Sequence, residues 1–94
     1  MAAFVIGHIT VRDADKWQIY VARVGATIVA HGGEILFRGE KRALFNGKHD
    51  CERVVVLKFA DPAAAQRWHD SPEYQTLIPL RDAGADVTLI SYQA

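Results

Sequence analysis

Apolar residues follow two rhythms along this chain. "AFVIGHITV", residues 3–11, is a short β-rich run that stops at the polar "RDAD", which predicts a strand. Trp17, Tyr20, Val21, Val24 and Ile28 then recur at helical spacing as one stripe. Asp13 or Asp15 is placed to cap that helix, and "HGG" at residues 31–33 to end it. "EILFRG", residues 34–39, predicts a second strand, which "KRALFN" extends after an irregularity at Gly39–Glu40. Asn46–Gly47 is a hairpin signal, and "CERVVVLKF", residues 51–59, is the clearest strand. Asp61–Pro62 opens a second helix with Ala64, Ala65 and Trp68 inward. Ser71–Pro72 repeats the start signal, Tyr74, Leu77 and Ile78 supply an inner face, and Pro79 splits the segment. Gly84 terminates it before a last strand, "DVTLISY", at residues 86–92.

Strand, helix, strand, strand, helix, strand predicts an α+β fold. It is the ferredoxin-like βαββαβ arrangement, a four-stranded antiparallel sheet with helices on one face, in a single domain over residues 1–94. Side chains alternate across a strand, so the faces can be read separately. Phe4, Ile6 and His8 share one face of the first strand, and Val5, Gly7, Ile9 and Val11 the other. The third strand divides into Val55, Leu57 and Phe59 against Val54, Val56 and Lys58. The last divides into Val87, Leu89 and Ser91 against Thr88, Ile90 and Tyr92. Both faces are largely apolar, yet helices cover only one. A second copy packed sheet to sheet is the expected cover.

Lysine plus arginine balances aspartate plus glutamate at 11 each, so no general field draws the chain to nucleic acid or to an anionic membrane. One cysteine, Cys51, rules out an intrachain disulfide and fits a reducing cytoplasm. The first residues read as a strand rather than a signal peptide, and no apolar run approaches the roughly 20 residues of a membrane span.

The segments "HGGEILFRGE" and "RVVVLKFADPAAAQRWHDSPEYQTLIPLR" resemble the uncharacterised bacterial domain-of-unknown-function family numbered thirteen-thirty, within the dimeric alpha/beta-barrel superfamily. The resemblance covers nearly the whole chain. It implies a homodimer whose two sheets form a barrel, and little chemistry. The superfamily includes cofactor-free monooxygenases, muconolactone isomerases, haem-degrading enzymes and stress-responsive proteins, so the fold does not fix function. His8 stands where relatives often have a hydroxyl or small residue, and any role for it is particular to this chain.

Five residues carry candidate chemistry. His8, mid-strand, is a candidate general base, with a satisfied core or interface histidine as the competing reading. Arg38 in "LFRG" and Arg81 at the end of the broken helix are candidate contacts for a small anion, or members of internal ion pairs. Tyr74 offers a polar pocket wall, and His69 lies at the helix break. His49–Asp50–Cys51 are adjacent and converge poorly on a metal, and no glycine-rich phosphate loop or cofactor motif is present. The expectation is a homodimer with a small-molecule pocket which, if it is an enzyme, acts without a cofactor by proton transfer on a small anionic or carbonyl compound. A non-catalytic ligand-binding or stress-associated dimer is the alternative.

Overall fold

A computed structural model describes residues 1–94, and its elements follow the expected order. They are β1 (Ala3–Val11), α1 (Ala14–Ala30), β2 (Glu34–Glu40), β3 (Arg53–Phe59), α2 (Pro62–Asp70), α3 (Pro72–Gln75), α4 (Ile78–Gly84) and β4 (Ala85–Gln93). The four strands form one antiparallel sheet in the order β2-β3-β1-β4. No helix is long and apolar enough to cross a membrane.

Local chemistry sets the helix limits. Asp13 caps α1 by accepting the Lys16 backbone N–H, and Gly32 beyond its end has φ of 75°, a conformation that L side chains avoid. Asp61 accepts the Ala64 N–H at the start of α2, with Pro62 in the first turn. Ser71 serves both sides of the next break. Its buried hydroxyl donates to the Trp68 carbonyl at 2.7 Å, ending α2, and accepts the Tyr74 N–H at 3.2 Å, starting α3. Ser71→Ala removes both bonds at once, so a loss of about 1–2 kcal/mol is expected in urea unfolding. Ser71→Asp, which still caps α3, should recover part of it.

The core lies between the sheet and the helices. Val5 and Ile9 of β1, Leu57 and Phe59 of β3, Trp17, Tyr20, Val24 and Ile28 of α1, Trp68 of α2 and Tyr74 of α3 are all buried. Gly84 brings α4 against α1. A Cβ there would stand 2.7 Å from the Trp17 backbone nitrogen, so only glycine permits the approach.

The β2–β3 connection differs from the sequence reading. β2 ends at Glu40, and residues 41–52 form an irregular loop rather than strand extensions meeting at a tight Asn46–Gly47 hairpin. The loop closes at its base, where Lys41 N–H donates to the Glu52 carbonyl at 2.6 Å and Lys41 Nζ reaches the His49 carbonyl at 3.1 Å. Leu44 and Phe45, apolar as strand residues are, have no strand to pack on and stand exposed.

The irregularity in β2 also sits elsewhere than expected. It falls between Ile35 and Phe37, not at Gly39–Glu40. Ile35 pairs with Leu57 and Phe37 with Val56, so Leu36 is the extra residue of a bulge. Strict alternation from Ile35 would turn Phe37 toward the helices and Arg38 away. The bulge reverses this, setting Arg38 opposite Val55 on the helix side and Phe37 on the outer face.

That outer face carries Phe4, Ile6 and His8 at its centre, with Val54 and Val56 on one side and Thr88, Ile90 and Tyr92 on the other. No helix lies over it, and the 41–52 loop reaches only its His8 end, where His49 meets the His8 ring. Phe37, Ile90 and Tyr92 are substantially exposed.

Candidate functional site

Two clefts open between the sheet and the helices, and they share Trp68 and Leu89 as lining. The narrow one lies under α1. Ile9, Val24, Leu57 and Val87 are among its apolar walls, Tyr20 faces it, and Arg38 is its one charged residue. Its volume is about 20 Å³, room for about one water-sized group. Arg38 reaches it from the edge strand through the β2 bulge and makes no ion pair within the chain. Glu34, Glu73 and Asp86, acidic residues that could have paired with it internally, do not engage it.

The wider cleft, about 250 Å³, lies beside α2 and is lined by Val5, Ala65, Gln66, Trp68, His69, Leu89 and Ser91. His69 Nδ1 lies 3.2 Å from an Asp70 carboxylate oxygen. Its backbone carbonyl, rather than its ring, answers the helix break by accepting from Gln75 Nε2 at 2.6 Å.

Behind the narrow cleft runs a polar chain joining three helices. Arg81 Nη1 of α4 donates to the Tyr74 hydroxyl of α3 at 3.0 Å, and that hydroxyl lies 3.0 Å from the Tyr20 hydroxyl of α1. Arg81 Nε also donates to Asp82 at 3.0 Å. Aromatic rings enclose the chain: Trp17 stacks on Tyr20 with centroids 5.0 Å apart, and Trp68 lies 4.3 Å from Tyr74. Burial, then the neighbouring Tyr74, raises the Tyr20 pKa well above that of an ordinary phenol, against the opposing pull of Arg81 and Arg38. Burial works against the Arg81 charge, but its bonds to Asp82 and Tyr74 outweigh this and leave the guanidinium pKa raised.

The five sequence candidates therefore part company. Arg38 lines the narrow cleft and His69 the wide one. Tyr74 and Arg81 meet each other but line neither; Tyr74 is wholly buried, and the Arg81 side chain is only 14% exposed. Their bonds run to one another and to Tyr20, so both lie one step behind the cavity wall. His8 is on the opposite face of the sheet. There its ring meets His49 edge-on at 4.7 Å, and its buried Nδ1 has no hydrogen-bond partner. It shares a shallow pocket of about 190 Å³ with Glu40, Lys41, His49, Cys51 and Arg53, away from the other four candidates. Three or more metal-ligating side chains converge nowhere in the structure. Tyr20 is the site residue that sequence reasoning missed, because in a helical stripe it is indistinguishable from packing.

A family model described as a domain of unknown function, DUF1330, matches residues 2–93. No curated protein is significantly similar in sequence. Among solved structures, a protein of unknown function from Rhodopseudomonas palustris superposes with a TM-score of 0.83 at 17% identity, covering 99% of this chain and 82% of that one. A dimeric ferredoxin-like protein of unknown function from Jannaschia gives 0.80 at 12% identity, with 100% of both chains covered. SnoaB, a cofactor-independent oxygenase from Streptomyces nogalater, gives 0.73 at 16% identity, covering 99% of this chain and 92% of that one. At these identities the likeness establishes the ferredoxin-like fold.

Proposed function

The chain belongs to the DUF1330 family, and from the clefts its fold builds we propose a small homodimer in which each subunit binds a small anionic or carbonyl compound between sheet and helices. One observation carries the ligand half of this reading. Arg38 is an arginine without an ion pair, brought by a bulge to an otherwise apolar cleft beside a tyrosine hydroxyl. Arg38 is exposed on the edge strand, and a guanidinium there suits a carboxylate or an enolate oxygen, which it can fork. Bound charge would be stabilised electrostatically, and chemistry on such a ligand is cofactor-independent. Tyr74 and Arg81 act through Tyr20, and His69 contacts whatever part of the ligand enters the wider cleft. His8, as a base, serves only a ligand at its own pocket.

The dimer half rests on the uncovered apolar face around Ile6, Val56 and Ile90. The description of the Jannaschia protein as dimeric supports it.

The alternative, a ligand-binding dimer without turnover, is favoured by a specific observation. Neither a histidine nor a carboxylate lines the narrow cleft, so proton abstraction there lacks a side-chain base.

Native mass spectrometry of gently purified protein tests the reading. A dimer with a retained small acid or carbonyl compound is expected, and Arg38→Ala should keep the dimer and lose the retained mass. A monomer at micromolar concentration refutes the assembly. A ligand held equally well by Arg38→Ala refutes the site.

A further inference from the structure

Counting protons gives a direction to the chain through Arg81, Tyr74 and Tyr20. A guanidinium has donors only, so Arg81 donates to the Tyr74 oxygen. The two tyrosines share one hydrogen bond, and one hydroxyl proton occupies it. Were Tyr20 the donor, the Tyr74 proton would be stranded, because Tyr74 is wholly buried and lines no cavity. A buried donor without an acceptor is strongly disfavoured. With Tyr74 as the donor, the free proton is that of Tyr20, and Tyr20 lines the narrow cleft together with Arg38.

We infer that Tyr20 is the hydrogen-bond donor of the narrow cleft, oriented by Arg81 through Tyr74, and that with Arg38 it selects ligands bearing a carboxylate or enolate oxygen over those bearing an ammonium group. The inference rests on the proposed pocket and names its specificity. Each bond in such a chain polarises the next, so a charge two residues away strengthens the Tyr20 donor without touching the ligand. The raised Tyr20 pKa keeps its proton in place across the neutral range. Arg81 is thus a positioning residue and Arg38 a contact. The small volume admits about one ligand oxygen, so the rest of the head group and the body of the ligand stay outside it.

Butyrate and n-butylamine, equal in chain length and opposite in head group, are suitable probes. The protein has two tryptophans, one stacked on Tyr20 and the other in tilted contact with Tyr74, so their indole N–H signals report the site by NMR. Butyrate is expected to shift both signals and butylamine neither. Tyr20→Phe should weaken butyrate about tenfold, the worth of one hydrogen bond to a charged group. Arg81→Met should weaken it by about threefold or more although it touches no ligand, and Arg81→Lys, which keeps a donor, should restore most of the loss.

If the wild type binds butyrate and Tyr20→Phe binds it equally well, the inference is overturned while the pocket stands. If the wild type binds neither probe, the pocket reading falls and takes this one with it. Hydroxyl-proton exchange in the unliganded protein decides the polarity independently of any ligand. The Tyr74 proton should exchange more slowly than that of Tyr20, and the reverse order overturns the assignment.

Discussion

Ile6→Glu is expected to convert the dimer into a monomer without unfolding the subunit. Ile6 occupies the central strand β1 and points to the outer face, flanked by Val56 on β3 and Ile90 on β4. In a two-fold assembly through this face, each dimer would bury two added carboxylates among Val56 and Ile90, with the nearest cation of the same face, Lys58, standing opposite Phe4 rather than opposite Ile6. An uncompensated buried charge costs several kcal/mol, so the dimer dissociation constant should rise by about a thousandfold or more. The helix-side core does not include Ile6, so far-ultraviolet circular dichroism should be preserved. Sedimentation at micromolar concentration reads the change directly. Ala22→Glu, an equal change at an exposed position on α1, should leave the mass of the assembly unaltered. A dimeric Ile6→Glu would place the interface elsewhere and leave the outer face to another partner.

The two sheet faces differ in how plainly the sequence announces them. Alternation in β1, β3 and β4 assigns every side chain to its observed face, because those strands run in unbroken register. The caps at Asp13, Asp61 and Ser71 are equally legible, since each hydroxyl or carboxylate precedes a helical pattern and binds the N–H three residues on. β2 resists the same treatment. No residue type marks Leu36 as the bulged position, and one unpaired residue exchanges the faces of all that follow. The placement of Arg38 is therefore a property of pairing with β3, beyond what alternation can reveal. Tyr20 was hidden for another reason. Its spacing fits a core stripe, and it is buried as predicted; the hydroxyl matters only because α3 and α4 fold back to bring Tyr74 and Arg81 beside it.

His8 shows the converse. Its residue type marks it as a candidate base, while the strand's parity separates it from Val5 and Ile9, the residues that face the helices. Chemistry-bearing side chains suggested one site, and topology divides them among three cavities and the polar chain behind one of them. The uncommon side chain is a weaker guide here than the face on which it stands.

Trp68→Ala should cost about 3–5 kcal/mol, the range for removing a large aromatic from a core. Trp68 is 1% exposed and is wedged between Phe59, at a centroid distance of 5.5 Å, and Tyr74 at 4.3 Å. Its indole N–H donates to Thr27 Oγ1 at 3.0 Å, and the Thr27 hydroxyl in turn donates to the Val24 carbonyl at 2.7 Å. The side chain thereby joins α2 to α1 by a hydrogen bond as well as by packing. For a domain of this length, total stability of roughly 5–14 kcal/mol is typical, so the truncation removes a large fraction of it. Trp68→Phe separates the contributions. It retains much of the ring and loses the N–H, and should cost about 1–2 kcal/mol, since Thr27 loses a donor but keeps its own acceptor. Urea unfolding followed by circular dichroism, with all variants at one protein concentration because assembly adds to apparent stability, distinguishes the two. Near-equal losses for Phe and Ala would mean that the α1–α2 hydrogen bond, rather than the aromatic packing, holds this corner of the core together.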